Sequence, residues 1–166
     1  DKYFDIMGVR VEIGNREVVS WDQPMVRSAQ EGLMGFIVKK INGIYHFLVQ
    51  AKLESGNFDI VEMAPTVQCL TGNYRKGKNE YTIPYLKQVL NAPEDKIWYS
   101  SYQSEEGGRF FHEQNLNIIV EVGDEFPIEV DENYCWMTLN QMLSFVTYNN
   151  YLNIAARSLL SAISFY

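Results

Sequence analysis

Two apolar segments flank Asn42-Gly43 and predict a β-hairpin. Residues Leu33 to Ile41 and Ile44 to Ala51 are rich in apolar and β-branched side chains, which are enriched in strands. Asn-Gly suits the two central positions of a type I′ turn, because both positions need a positive φ. We therefore expect two antiparallel strands that turn at Asn42-Gly43.

Extended segments are also predicted on either side of this hairpin. Before it, Tyr3 to Val11 and Glu17 to Trp21 are predicted to form an opening hairpin around Gly14-Asn15. After it, an extended segment is predicted from Glu62 to Leu70. Paired strands are predicted from Ile97 to Gln103 and from Phe110 to Val122, joined through Gly107-Gly108. Because proline cannot donate to a strand ladder, Pro65 places the first part of its segment at an edge or a bulge.

Helical spacing of apolar residues appears mainly in the last third of the chain. Thr138 can cap a helix that carries Leu139, Met142, Leu143 and Val146, and Asn153 can cap a helix that carries Ile154, Leu159, Leu160 and Ile163. A shorter helix is predicted from Pro84 to Asn91, with Pro84 at the first helical position. Strands in runs followed by late helices are typical of the α+β class, here as a single domain over residues 1–166.

Composition and charge narrow the function classes. The chain has 166 residues, 46% of them hydrophobic, which fits one globular domain. Its 14 Lys and Arg are scattered among 21 acids, giving a net charge of −7, so a nucleic-acid protein with a basic stripe is not expected. We find no apolar run of membrane-spanning length and no secretory signal pattern. Cys69 and Cys135 lie in no ligand cluster, so we expect reduced thiols and a cytoplasmic protein.

Residues 50–74 interrupt the apolar pattern and indicate a site. Gln50, Lys52 and Glu54 follow the apolar run from Ile44 to Val49, at the end of a predicted strand. Side chains two residues apart on a strand share a face, so these three are predicted to point the same way. The usual role of such a Lys and Glu pair is a solvated surface ion pair. Strand ends that open into polar loops are, however, where binding sites are commonly built.

Five blocks along the chain resemble the NDP-hexose 2,3-dehydratase family in order and spacing. They are residues 50–74, Trp21 to Pro24, Ser104 to His112, Cys135 to Leu139, and Asn153 to Ser158. The resemblance implies a Nudix-like mixed β-sheet or sandwich with a few, mainly C-terminal helices. It also implies a lyase that removes water across C2 and C3 of dTDP-4-keto-6-deoxyglucose, giving a 3,4-diketo-2,6-dideoxy sugar nucleotide without a cofactor.

Such an elimination needs a base for the C3 proton, a donor for the developing enolate oxygen and an acid for the leaving hydroxyl. With the resemblance, His112 or Glu54 is the expected base, and Tyr74 or Lys52 the expected acid and ketone polariser. From the residues alone, a structural strand histidine is the more common role for His112. Arg109 and Arg157 are expected on the pyrophosphate, because guanidinium groups bind phosphate oxygens bidentately.

Other polar and aromatic residues of the matching blocks are candidate substrate contacts. Hydrogen bonds to sugar hydroxyls or to the thymine edge are expected from Gln50, Asn57, Thr66, Gln68 and Asn73. Trp136 is a candidate stacking partner for thymine, although a large apolar residue is more often part of the core, and Trp21 and Trp98 are alternatives.

The chain also departs from the family pattern. Family members usually contain two such modules, whereas we find one, and a homodimer is therefore expected to supply the second. The family stretch Asn-Met-Asp-Ala-Arg has Ala155 in place of its aspartate here. These departures leave open a catalytically silent dTDP-sugar-binding module that regulates or completes a partner, and also a strand-rich dimerisation domain. Glu105-Glu106 precedes glycines and does not form the acidic metal-binding helix of Nudix hydrolases, so no metal site is expected.

Overall fold

A mixed β-sheet with helices on both faces forms most of the structure. The computed structural model describes residues 4–70 and 83–163. Its strands are β1 Phe4–Glu12, β2 Ser20–Ser28, β3 Gly32–Ile41, β4 Ile44–Leu53, β5 Val61–Ala64, β6 Val67–Leu70, β7 Ile97–Ser104, β8 Gln114–Val122 and β9 Tyr134–Thr138. Its α-helices are α1 Leu86–Leu90, α2 Leu139–Val146 and α3 Ile154–Ser161, and a 3-10 helix covers Glu94–Lys96. The predicted α+β class is confirmed.

Seven of these strands belong to one sheet. The path β5-β4-β3-β8-β7 is extended by β6, which pairs with β3, and by β9, which pairs with β4. Strands β3 and β8 run parallel, and the other neighbours in the sheet are antiparallel. At the β3–β4 turn, Asn42 and Gly43 have φ angles of 51° and 83°, as the type I′ turn requires. The predicted central hairpin is therefore confirmed.

Strand β3 changes its antiparallel partner halfway along its length. Its residues 38–41 pair with β4, whereas its residues 32–35 pair with β6. Thr66 lies at the point where the partners change. The Ile37 N–H donates to Thr66 Oγ1 at 2.9 Å, and that hydroxyl donates to the carbonyl oxygen of Leu48 in β4. The Thr66 hydroxyl thus satisfies two backbone groups where β3 and β4 separate.

An apolar cluster fills each face of the sheet. The first cluster lies under α2 and α3 and contains Phe36, Val38, Phe47, Val49, Ile119, Met137, Met142, Leu152, Ala156, Leu159 and Leu160. The second lies under α1 and contains Leu33, Ile37, Leu48, Val67, Leu86, Val89, Ile118, Val120, Phe126 and Tyr134. Because β3, β4 and β8 contribute to both clusters, these central strands are apolar on both faces, which explains their nearly continuous hydrophobic sequence.

Strands β1 and β2 form a separate two-stranded hairpin. It joins the rest of the structure through the loop that follows β7. The Val26 N–H donates to the Arg109 carbonyl and the Phe111 N–H donates to the Val26 carbonyl, both at 2.8 Å. The side-chain amide of Gln23 also donates to the carbonyl of Gly108. An isolated hairpin has little stability of its own, so the loop supports its position.

Some predicted segments have different boundaries in the structure. The extended segment from Glu62 to Leu70 is two strands, because the chain turns at Pro65 and Thr66 to change its partner from β4 to β3. The strand predicted from Phe110 begins only at Gln114. The helix predicted from Pro84 begins at Leu86, because Tyr85 adopts a left-handed φ of 60°.

The helix caps agree with the prediction. Thr138 accepts a hydrogen bond from the backbone N–H of Gln141, and Asn153 accepts one from Ala156. Of the predicted apolar face of α2, Met142 is buried, whereas Leu143 and Val146 are exposed. No helix within the two described ranges is both long and apolar enough to cross a membrane.

Thr66→Val tests the role of the Thr66 hydroxyl. Valine has nearly the same shape but leaves the Ile37 N–H and the Leu48 carbonyl without this partner. We expect the free energy of unfolding to fall by roughly 1–3 kcal/mol in urea denaturation. In Thr147→Val, where the exposed hydroxyl bonds only to the Ser144 carbonyl, the change should be well below 1 kcal/mol. Equal stability of Thr66→Val and the wild type would contradict this role.

Candidate active site

Glu54 is held by two side-chain amides immediately after the end of β4. Gln68 Nε2 in β6 donates to Glu54 Oε1 at 2.9 Å, and Asn153 Nδ2 donates to Glu54 Oε2 at 3.1 Å. Asn153 Nδ2 also donates to Gln68 Oε1 at 2.8 Å. Each carboxylate oxygen therefore has a donor, and the orientation of the carboxylate is fixed by residues from two distant parts of the chain.

Asn153 connects this network to the start of α3. It is 3% exposed, and its Oδ1 accepts from the Ala156 N–H at 2.9 Å as the helix N-cap. The hydrogen bond to Ala156 identifies which atom is the oxygen, so the Nδ2 group must face Glu54 and Gln68. The same side chain thus caps the helix and positions the carboxylate.

The sheet face beside this network changes from apolar to polar towards the N-terminal end of β3. Gln68 of β6, Met34 of β3 and Asn117 of β8 are paired in register across three neighbouring strands. Two residues further along β3 and β8, the pair Phe36 and Ile119 belongs to the first apolar cluster. At one end, this face presents Gln68 and Asn117, which we call the polar floor. In its middle, the same face belongs to the dry core.

A cleft of about 220 Å³ lies between this polar floor and the first turns of α3. It is lined by Met34, Gln103, Ser104, Glu105, Glu106, Asn117, Ile154, Ala155 and Ser158. Glu105 accepts a hydrogen bond from Asn115 Nδ2, and Asn115 Oδ1 accepts from the Gly32 N–H at 2.6 Å. The Glu105 carboxylate, directly after β7 and bonded to β8, is thus fixed in the cleft wall on the side away from Gln68.

Lys52 and Gln50 do not share the direction of Glu54. Both lie in β4 an even number of residues from Leu48, so they share the face of Leu48, a member of the second apolar cluster. Burial raises the pKa of the Cys69 thiol to about 11, and the nearby positive charge of Lys52 opposes that shift. Cys69 packs against the second cluster, whereas the adjacent Gln68 contacts Glu54. The expected row of three residues is interrupted because β4 ends at Leu53.

His112 lies in a different depression from Glu105. It is exposed, has a left-handed φ of 52° and stacks on Phe111 with 4.2 Å between ring centroids. That depression, of about 210 Å³, is lined by residues 28–31 and 111–114, none of which lines the cleft. Within the described ranges, no three His, Cys, Asp or Glu side chains are grouped to hold a metal ion.

Arg109 and Arg157 lie near the rim of the cleft. The Arg109 guanidinium is 3.6 Å from the carboxylate of Glu106, which lines the cleft, and both side chains are largely exposed. Arg157 is exposed on α3, one turn after Ile154 and next to Ser158, both of which line the cleft. Two exposed cationic side chains therefore lie next to residues that line the cleft.

The other candidate residues have different surroundings. Thr66 is fully buried and its hydroxyl is used within the sheet, so it is not available to a ligand. Trp136 donates its indole N–H to the Ile128 carbonyl at 3.0 Å and packs edge to face on Phe126. Asn57 Nδ2 is buried and has no hydrogen-bond partner among the described residues. Asn73 and Tyr74 lie outside the described residues.

The sequence reasoning missed several residues of the cleft. Asn115 and Asn117 occupy alternate positions at the start of β8, before the apolar run from Ile118 to Val120, and this pattern is the available signal that one face turns polar. Glu105 was considered only as a metal ligand. Asn153 was recognised as a cap, but a sequence pattern gives no indication that its other end reaches Glu54.

Comparison with known proteins identifies the family. The family model described as NDP-hexose 2,3-dehydratase matches residues 1–163. The chain belongs to the NDP-hexose 2,3-dehydratase family. It is 43% identical over 162 residues to a dTDP-4-dehydro-6-deoxy-alpha-D-glucopyranose 2,3-dehydratase of Streptomyces violaceoruber, and 41% identical over 162 residues to the enzyme of that name from Saccharopolyspora spinosa. In both, the match covers 98% of this chain but only 36% and 33% of the relative. This member of the family therefore spans about a third of the length of those curated relatives.

Solved structures support the fold of this dehydratase-family chain. An ADP compounds hydrolase aligns with a TM-score of 0.55 at 12% identity, covering 97% of this chain and 84% of that one. The C-terminal domain of mouse MUTYH, solved with human PCNA, aligns with a TM-score of 0.51 at 8% identity and covers 80% of this chain and 85% of that one. The expected Nudix-like fold is confirmed, and identities this low carry no information on function.

Proposed function

We propose that this protein is a lyase that removes water across C2 and C3 of dTDP-4-keto-6-deoxyglucose. Family membership supports the reaction class and the sugar nucleotide. The structural observation that carries the proposal is the carboxylate of Glu54, oriented by Gln68 and Asn153 beside a cleft with a polar floor. An elimination next to a ketone needs a base in a fixed orientation, and this arrangement supplies one.

The reaction balances without a redox step. The base takes the proton from C3, which the neighbouring C4 ketone acidifies, and the electron pair of the C3–H bond forms the C2–C3 double bond. The C2–O bond breaks, and the hydroxyl leaves as water after it is protonated. The resulting enol carries the C3 hydroxyl and tautomerises to the 3,4-diketone. No electrons are transferred to or from an external carrier.

We assign the base to Glu54 in preference to His112. Glu54 is bonded to Gln68, which pairs with the cleft residue Met34, and to Asn153, which directly precedes two cleft residues of α3. His112, in contrast, is exposed in a separate depression. Tyr74 or Lys52 is kept as the acid that polarises the ketone. The position of Lys52 on the opposite face of β4 makes Tyr74 the favoured choice of the two.

Binding of the nucleotide is assigned to the cleft rim. Arg109 contacts Glu106 and Arg157 precedes Ser158, both of which line the cleft, and these exposed cations are suited to the pyrophosphate. The Nδ2 group of Asn57, which has no partner among the described residues, is assigned to a sugar or base oxygen, with Gln50, Gln68 and Asn73 as further polar contacts. Trp136 is kept as the residue whose indole face stacks on thymine.

The direct test is incubation of the purified protein with dTDP-4-keto-6-deoxyglucose and no added cofactor or metal. We expect loss of one water from the sugar nucleotide by mass spectrometry, or release of dTDP from an unstable diketo product. Unchanged substrate that nevertheless binds, as measured by calorimetry, would replace the lyase with the silent sugar-nucleotide-binding module. Absence of both activity and binding would leave only a structural role.

Variants of Glu54 and Arg109 separate catalysis from binding. Glu54→Gln should lower turnover by about 100-fold or more, because the amide cannot take the C3 proton. Arg109→Ala should mainly raise the Michaelis constant. Glu94→Gln, in the 3-10 helix at the far end of the sheet, and Arg16→Ala, in the β1–β2 loop, are matched controls that should leave both constants unchanged. Normal turnover in Glu54→Gln, with loss in His112→Ala, would move the base to His112.

We also propose that the protein is a cytoplasmic homodimer. The loop between β4 and β5 exposes Phe58 and Ile60 at 90% and 74%, and Leu53 before it at 70%, an apolar surface that contact with a second copy would bury. Cys69 and Cys135 are free thiols, in keeping with a reducing compartment. Sedimentation equilibrium should give twice the chain mass, and Phe58→Ser should shift the mass towards that of the monomer. A monomer at all concentrations would exclude the homodimer.

A further inference from the structure

Asn117 has a buried acceptor that no described residue uses. It lies in β8 on the floor of the cleft and is 2% exposed. Its Nδ2 donates to the Asn115 carbonyl at 3.1 Å, which identifies the other side-chain atom as the oxygen. This Oδ1 is buried and has no hydrogen-bond partner within the described ranges.

The neighbouring amide side chains have hydrogen-bond partners, so the oxygen of Asn117 needs an explanation. Asn115 is bonded at both ends of its amide, as is Gln68, and Gln103 Nε2 donates to Tyr99 Oη at 2.7 Å. A buried acceptor without a partner costs roughly 1–3 kcal/mol. A folded protein usually keeps such a group only where a ligand or water completes it.

The cleft above Asn117 has the size of a sugar ring. Pockets for complete drug-sized ligands are roughly 300–1,000 Å³. The cleft, at about 220 Å³, fits the hexose of a nucleotide sugar while the nucleotide remains outside. Arg109 and Arg157 at the rim are consistent with this arrangement, because they place the pyrophosphate at the entrance.

The chemistry of the acceptor restricts which atom it can bind. An amide oxygen accepts a hydrogen bond, so its partner must be a donor. Phosphate oxygens and the C4 ketone are acceptors and are excluded. In dTDP-4-keto-6-deoxyglucose, C1 carries the diphosphate, C5 the ring oxygen and C6 a methyl group, so the hydroxyls at C2 and C3 are the only donors on the sugar.

We propose that Asn117 Oδ1 accepts a hydrogen bond from the C3 hydroxyl of the sugar, and so selects substrates that carry a hydroxyl next to the ketone. This inference rests on the proposed sugar-nucleotide substrate. The C3 hydroxyl is preferred over the C2 hydroxyl because an acceptor on the leaving oxygen would increase its negative charge and oppose its protonation. The hydroxyl at C3 keeps its proton throughout the elimination, so this contact persists into the enol.

A binding cycle with unreactive ligands tests the contact. Calorimetry compares dTDP, dTDP-6-deoxyglucose and its 3-deoxy analogue, with the wild type and with Asn117→Leu. Removing the C3 hydroxyl or the Asn117 amide should each weaken binding about tenfold, which corresponds to one hydrogen bond of about 1.4 kcal/mol. Removing both groups should weaken binding no more than removing either one, and the affinity for dTDP alone should not change. Gln88→Leu, which removes an exposed amide of α1 on the other face of the sheet, is the matched control.

The possible outcomes separate this inference from the proposed reaction. No turnover is needed, so the cycle can succeed even if the dehydration assay fails. Equal weakening of dTDP and the sugar nucleotide in Asn117→Leu would indicate structural damage and overturn the contact. The contact is also overturned if removing the hydroxyl and removing the amide weaken binding additively. Normal binding by the variant, because water satisfies the oxygen, overturns it too, as does a wild type that binds no dTDP ligand. Asn117→Ser replaces the leucine variant if that protein does not fold.

Thermal stability provides a second readout. Asn117→Leu removes the unpaired acceptor together with the Nδ2 donor to the Asn115 carbonyl, and these two effects on stability oppose each other. We therefore expect the melting temperature of this variant to change little, whereas replacement of a purely structural amide would lower it. A stable variant with a selective loss of sugar affinity is the expected combination. A large drop in melting temperature together with unchanged sugar binding would assign Asn117 to the framework and overturn the proposal.

Discussion

The hydroxyl of Thr66 sits at the point where the sheet divides, and the arrangement of the strands around the cleft depends on it. Strand β3 leaves β4 there and pairs with β6 instead. Such a division normally exposes backbone donors and acceptors inside the protein, at a cost of several kcal/mol if they remain unpaired. Thr66 satisfies one group on each side, the Ile37 N–H and the Leu48 carbonyl, so the strands can separate within a dry core.

Separation of these strands creates the room in which the polar groups meet. Past the division, β5 continues along β4 and β6 continues along β3. Glu54 follows the first pair and Gln68 belongs to the second, and their hydrogen bond spans the gap between them. The N-terminus of α3 completes the closure through Asn153. The site is thus built where two branches of one sheet are joined again by side chains.

Local features of this fold could be predicted from the sequence, and long-range ones could not. The turn at Asn42-Gly43 and the caps at Thr138 and Asn153 depend on a few adjacent residues, and they were predicted correctly. The change of partner at Thr66 and the contact between Glu54 and Asn153, which are 99 residues apart, depend on strand register in three dimensions. For the same reason the row Gln50, Lys52 and Glu54 was predicted to share a face, since the pattern did not reveal that β4 ends before Glu54. The family resemblance, carried by blocks spread along the chain, indicated the fold but not the cleft geometry.

Asn153 has very little chemical freedom. Its position requires an acceptor of a length that reaches the helix backbone and, on the same short side chain, a donor directed at a carboxylate. Serine or threonine would retain the acceptor without a donor at the far end, and aspartate would place a second negative charge against Glu54. Glutamine carries both functions but is one methylene longer, so the two ends could not reach both partners. A single residue type therefore satisfies this position, and the helix cap and the orientation of the carboxylate both depend on it.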